Sequence, residues 1–168
     1  MHENNIILNE SNTLSQVNSN SENYTLIEVN SRKYAIKTQK VREIVKVMEL
    51  DYSHQMPSYV LGIMKIDKLP IGVLDLREIF KKERIIYGLS AKIIVIKTEN
   101  IITSIICDRV CDIKKIDKSK IQLVPYQHDA VFFDGVYEED NESIYVLNIE
   151  NVLNYTQKNI EKFRGNQN

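Results

Sequence analysis

The feature that most constrains the fold of this chain is an internal repeat. "KVREIVKV" at 40–47 recurs as "RVCDIKKI" at 109–116, an offset of 69 positions. Lys40, Val41, Glu43, Ile44, Lys46 and Val47 fall on Arg109, Val110, Asp112, Ile113, Lys115 and Ile116, and the upstream Ile36 falls on Ile105. Further along, the offset becomes 73: Gly62-Ile63 falls on Gly135-Val136, and "VLDLREIF" at 73–80 falls on "VLNIENVL" at 146–153. Any one apolar strand resembles another by chance, but two ungapped blocks in the same order imply two similar small units.

The units are made of short apolar runs. "YTLIEV" and "KYAIK" on either side of Asn30-Ser31 predict a hairpin, and "TQKVREIVKV" predicts a helical turn passing into a strand. "YVLGIMKIDKLPIGVLDLREIF", residues 59–80, predicts a second hairpin with the charged stretch Lys65-Ile66-Asp67-Lys68 at its tip. Asp75 and Glu78 stand in capping-box spacing, so a short helix should start there. "KIIVIKT" and "ITSIIC" flank Glu99-Asn100 as a further hairpin, followed by "RVCDIKKI" and by the pair "VFFDGVY" and "SIYVLNI". In "NIENVLNYTQKNIEKF" the apolar residues Ile149, Val152, Leu153, Ile160 and Phe163 have amphipathic-helix spacing. Each unit therefore finishes on a helix. Short, regularly spaced strands suit small barrels, because closing a sheet removes its exposed edges. Nothing alternates strand with long helix, which argues against a doubly wound parallel sheet. Ten of the first 22 residues are Asn or Ser without apolar periodicity, and a tail with so little to bury cannot offset the entropy of ordering.

Chemistry is conspicuously missing. The formal net charge is -1, where a nucleic-acid binder would carry a basic excess. No apolar run approaches the ~20 residues of a membrane helix, and "MHENNIILNE" lacks the pattern of a secretion signal, so a cytoplasmic protein is expected. Cys107 and Cys111, in "CDRVC", with His2, His54 and His128 scattered elsewhere, do not complete a zinc ligand set; they are expected to be small buried or half-buried thiols without a disulfide. There is no G-x-G-x-x-G, G-x-x-x-x-G-K or H-E-x-x-H motif, and five glycines leave little for a phosphate loop. His128-Asp129 lies in "PYQHDAVFF" without a nucleophile elbow and reads as a loop histidine. Tyrosines and phenylalanines on strands fit a half-buried surface rather than base stacking. No catalytic residue, cofactor or metal is expected.

"YTLIEVNSRKYAIKTQKVREIVKV", "MPSYVLGI", "VLDLREIF" and "VLNIENVL", in that order, resemble the CheW family of chemotaxis coupling proteins over roughly residues 23 to 155. The resemblance implies a mainly β fold of two intertwined five-stranded SH3-like β-barrels with short helices and a C-terminal helix. On that basis residues 1–22 are assigned to a flexible tail and 23–168 to a CheW-like domain. Its first barrel is placed at about 23–88, its second at about 89–155, and its last helix runs to about 164. The family is non-catalytic and joins chemoreceptor cytoplasmic tips to the regulatory domain of the histidine kinase CheA. Val41 and Glu43 match the family's V-x-E contact segment, and Gly62 its glycine before the hairpin. Relatives carry Asn-Leu-Arg-Gly where this chain has Lys65, Ile66, Asp67 and Lys68; the docking arginine is thus Asp67, a reversal of sign, and a family proline is Gly72. Val41, Glu43, Gly62, Lys65, Asp67 and Lys68 are the candidate protein-contact residues. A CheW-like scaffold of another or divergent assembly, and a small-ligand binder or enzyme on a β-barrel, are the alternatives.

Overall fold

The computed structural model describes residues 20–52, 54–83, 86–126 and 129–165. Ten strands and two helices follow one another as β1 (Ser21–Val29), β2 (Arg32–Lys37), β3 (Val41–Lys46), β4 (Val60–Ile66), β5 (Leu69–Asp75), α1 (Leu76–Ile79), β6 (Lys92–Lys97), β7 (Ile102–Cys107), β8 (Arg109–Asp117), β9 (Phe133–Glu139), β10 (Glu142–Leu147) and α2 (Ile149–Gly165). Single 3₁₀ turns lie at Thr38–Lys40, Lys118–Lys120 and Ala130–Phe132. Three hairpins turn on two residues of positive φ, Asn30-Ser31, Asp67-Lys68 and Asp140-Asn141. That geometry matches the right-handed twist of the flanking strands, and Asn and Asp adopt it at the least cost after glycine.

The strands form two five-stranded sheets, ordered β8-β1-β2-β10-β9 and β3-β6-β7-β5-β4. Substituting each strand by its repeat partner converts one order into the other, so the two units share one architecture. Yet neither sheet comes from one unit. The hairpin β1–β2 sits among the strands of the second unit, pairing β2 with β10 in parallel, and β6–β7 sits among those of the first, pairing β7 with β5 in parallel. The division into barrels at 88/89 is therefore corrected: each barrel takes two strands from one half of the chain and three from the other. The physical reason lies in the links. The 3₁₀ turn Thr38–Lys40 after β2 and the single residue Asp108 after β7 carry the chain straight on into the other sheet instead of folding it back as a hairpin. The tail boundary also moves, because Ser21 and Glu22 already pair with Asp117 and Ile116.

Each sheet closes through an isolated bridge beyond its edge strand. Asp51, after β3, exchanges two 2.8 Å backbone hydrogen bonds with Ile63 on β4, and Gln122, after β8, exchanges two of 2.8 Å with Val136 on β9. A glycine stands beside each bridge. A Cβ on Gly62, whose φ is 155°, would lie 2.8 Å from Leu50 Cβ, and one on Gly135 would lie 2.5 Å from the Gln122 carbonyl oxygen. The repeated Gly-Ile and Gly-Val pairs are thus the closure points of the two barrels.

Apolar residues gather in three clusters among the described residues. One fills each barrel, around Leu26 and Val146 in the first sheet and around Val73 and Val95 in the second. The largest lies where the sheets meet and includes Ile27 and Tyr34 from one, Ile94 and Ile105 from the other, Leu76 and Phe80 at α1, and Ile149 and Val152 from α2. Burying each such side chain stabilises by ~1.5–3 kcal/mol. Asp75 caps α1 by accepting from the Arg77 amide at 2.9 Å, and Asn148 caps α2 by accepting from the Asn151 amide at 2.9 Å. The side chain of Phe163, expected on the apolar face of α2, lies outside the described residues.

Candidate protein-docking site

Strand β3 is an edge of its sheet and alternates between half-buried and exposed residues. Val41 packs against the central cluster and Glu43 is half-buried, while Arg42, Ile44 and Lys46 face outward. A bulge at Arg42 in the pairing with β6 sets this phase. Ile44 is 43% exposed, and Val47 and Met48, just past the strand, are 45% and 39% exposed. These three apolar residues were not singled out from the sequence. The signal was present in "VREIVK", where an isoleucine occupies the phase otherwise held by Arg and Lys.

The tip of the β4–β5 hairpin lies against this edge. Asp67 and Lys68 are the two turn residues, with φ of 50° and 68°. The Arg42 guanidinium lies 3.7 Å from the Asp67 carboxylate and 3.5 Å from that of Glu43, and Lys65 lies 3.6 Å from Asp51. Val41, Glu43 and the tip, far apart in sequence, therefore form one surface joined by Arg42. The sign reversal at Asp67 acquires a partner within the same chain, although so exposed a pair contributes only ~0–1 kcal/mol. Among the described residues Lys68 has no ion-pair partner and gives the tip an unneutralised cation. Gly62 is the exception in the candidate set: it is buried at the barrel closure and presents no contact surface.

Behind the tip, the same hairpin forms one wall of an apolar groove of about 430 Å³. Its floor is the outer face of the second sheet, with Ile63, Pro70, Gly72, Leu74 and Thr103, and its far wall is α2, with Leu153, Gln157 and Ile160. The Thr103 hydroxyl donates to the Gly72 carbonyl at 3.4 Å, leaving the floor an apolar face.

A buried polar strut holds this surface relative to the first sheet. Arg77, 1% exposed, forms an ion pair with Asp108, at the crossover between sheets, and its guanidinium carbon lies 3.7 Å from the centre of the Tyr87 ring. Tyr87 donates to Asp75 at 2.8 Å, and Asp108 accepts from the Asn30 amide at 2.8 Å, tying the β1–β2 turn to the end of β7. Burial pushes the Cys107 thiol up to about 12 and raises that of Cys111, which makes both poor nucleophiles. His54 is exposed and meets Tyr52 edge-on at 5.1 Å; His2 and His128 lie outside the described residues. Among the described residues there is no group of three or more potential metal ligands, and no helix is long and apolar enough to cross a membrane. What the arrangement offers is a shaped apolar surface with a charged rim, suited to binding another protein.

Comparisons with known proteins agree. The sequence matches the family model of the CheW-like domain over residues 23–157. The fold is similar to that of the scaffolding protein TtCheW from Thermoanaerobacter tengcongensis, with a TM-score of 0.73 and 20% identity over 80% of this chain and 88% of that one. No curated protein matches the sequence significantly. The chain belongs to the CheW-like domain family, whose members are non-catalytic scaffolds of chemotaxis signal transduction.

Proposed function

We propose that the protein is a cytoplasmic adaptor that couples the cytoplasmic tip of a chemoreceptor to the regulatory domain of a CheA-like histidine kinase. The observation that carries this reading is the continuity of the β3 edge, the β4–β5 tip and the groove, which gives two adjacent faces of different character. The β3 edge, with exposed Ile44, Val47 and Met48 beside Glu43 and Arg42, suits a partner barrel: packing gives affinity and the charges fix register. The groove suits a helix, whose apolar face would lie between α2 and the hairpin that carries Lys68 in its turn. A receptor tip is a helical hairpin, and an acidic one would complement that lysine.

The test is binding of the full chain to the regulatory domain of a CheA-like kinase encoded in the same genome. Ile44→Asp leaves the core untouched, in contrast to Val41, which packs into it. We expect Ile44→Asp to weaken binding on the order of tenfold or more, as truncation of an interface anchor does, without moving the unfolding midpoint. Equal capture of wild type and variant would exclude the β3 edge. A second reading, a scaffold of another or divergent assembly, is favoured by Asp67 standing where relatives carry arginine; binding to a different kinase or receptor with the same sensitivity to Ile44→Asp would select it.

A further inference from the structure

The internal symmetry exposes something peculiar about Gly72. In the first sheet a row crosses β9, β10 and β2 as Val136, Tyr145 and Tyr34, paired in register. The Tyr145 ring packs on Phe133 at 5.3 Å and on Tyr34 at 6.1 Å, and both of those rings meet Phe80 at the end of α1. The equivalent row of the second sheet crosses β4 and β5 as Ile63 and Gly72 and reaches β7 at Thr103, one position before the paired Val73 and Ser104, where the Thr103 hydroxyl donates to the Gly72 carbonyl. Gly72 thus stands where its repeat partner is Tyr145, and Thr103 where it is Tyr34. Two rings are missing from one row, and the groove lies above it.

Nothing inside the molecule requires glycine here. Gly62 is the one positive-φ glycine among the described residues, and a Cβ on Gly72 would meet no atom within 4 Å. In an inner strand such a glycine weakens the sheet unless a ligand or another backbone approaches it closely. Gly72 is surrounded by Ile63 and Thr103 across the strands and by Pro70 and Leu74 along its own, all lining the groove. Four side chains around an empty position make a hole of the kind that receives a single knob from a helix.

We infer that the hollow at Gly72 is a socket for one aromatic side chain of the docked helix, supplied by the partner in the place that Tyr145 fills in the other barrel, and that Gly72 sets this specificity. The inference rests on the proposed binding of a receptor helix in the groove. An aromatic ring is the occupant that the chain itself uses at the equivalent position, and such a knob orients the helix along the groove as well as anchoring it.

The experiment measures affinity of the full chain for a helical-hairpin fragment of a chemoreceptor tip encoded in the same genome, with each aromatic residue of the hairpin changed to alanine in turn. Gly72→Val, which fills the socket from below, should weaken binding on the order of tenfold or more, and Gly72→Ala less, while both keep or raise the unfolding midpoint. One aromatic-to-alanine change in the hairpin should cost wild type a similar factor and cost Gly72→Val little more, the non-additivity of groups in contact. Gln157→Arg on the exposed wall of α2 separates the two levels. If Gln157→Arg abolishes binding and Gly72→Val does not alter it, the socket falls and the groove stands. Tight binding of a hairpin that carries no aromatic residue also overturns the socket. If neither variant matters, or wild type does not bind, the groove reading and the socket fall together.

Discussion

Replacing Gly62 by alanine should open the second barrel at its seam. The φ of 155° is one that an L side chain adopts only under strain, and the added Cβ would lie 2.8 Å from Leu50 Cβ and 3.0 Å from the Asp51 carbonyl oxygen. Backbone strain of this kind costs about 1–3 kcal/mol, and overpacking a closed site costs about 1–3 kcal/mol. One backbone shift relieves part of both, so the sum is roughly 2–5 kcal/mol, against a total stability of about 5–15 kcal/mol for a typical domain. With a urea m-value of about 2.5 kcal/mol/M for a chain of this size, the unfolding midpoint should fall by roughly 1–2 M. Native-state amide exchange supplies the local readout. The amides of Asp51 and Ile63, which bond across the seam at 2.8 Å, should lose more protection than those of β1 and β2 in the other barrel, which fall only with global stability. A midpoint shift under about 0.3 M, well below the range expected from the m-value, would refute the closure argument, as would undiminished protection at those two amides. Gly72→Ala is the internal control, since its Cβ meets nothing.

Two further outcomes follow from the polar groups. Arg77→Met should destabilise by about 1.5–3 kcal/mol, because it leaves the half-buried Asp108 carboxylate without its cation, and Arg77→Lys should recover only part, lacking the planar group that lies 3.7 Å from the Tyr87 ring centre; a lysine variant that melts with wild type would contradict this. Glu22 lies 3.4 Å from both Lys37 and Lys118. Burial alone would raise its carboxyl, but the two lysines outweigh it and hold the group below its ordinary 4.5. A carboxylate depressed in the folded state contributes stability above the unfolded value and loses it as pH falls through the folded one. The difference in urea midpoint between wild type and Glu22→Gln should therefore be full above pH 4.5 and shrink below it; a difference independent of pH would count against the pairing.

What could be read from the sequence was local or repeated. Asn30-Ser31 and the stretch Lys65–Lys68 announced hairpins as breaks between apolar runs, and the structure narrows the second turn to Asp67-Lys68. Asp75 announced its helix through the cap, and the repeat announced both closure glycines before their role was evident. The exchange of hairpins between units was not legible at the level of boundaries. Strand β2 joins β10 through only three paired residues more than a hundred positions away, and the apolar pattern of β2 would suit either sheet equally. The docking surface was half legible. Val41, Glu43 and the Lys65–Lys68 tip were candidates by resemblance, and Arg42, which joins them, lies between two residues of the set. Ile44 escaped because its exposure depends on the bulge beside it, and Gly72 read as a mere departure from a family proline. Its meaning depends on Tyr145, which the offset of 73 sets opposite it but which gains significance only from the rings around Tyr145 and the groove above Gly72.

The crossed pairing of the two halves has a kinetic consequence. The first sheet cannot assemble until strands from both ends of the chain have met, since β1 and β2 must find β8, β9 and β10, whereas β3 to β7 follow one another and their sheet can close first. The decisive contacts thus span large sequence separations, and the entropy of closing those loops comes before the burial that rewards it. Such a chain folds slowly for its size and late during synthesis, with the apolar β1–β2 hairpin exposed until the last strands emerge. A copy released early has an alternative available. The same hairpin fits the equivalent gap in a second molecule, so a crowded, newly made population risks interlocking in pairs by mutual exchange. Once closed in its own chain, however, the arrangement resists the opposite failure: pulling the first strands of the chain away from its last ones requires unzipping the first sheet rather than parting an interface.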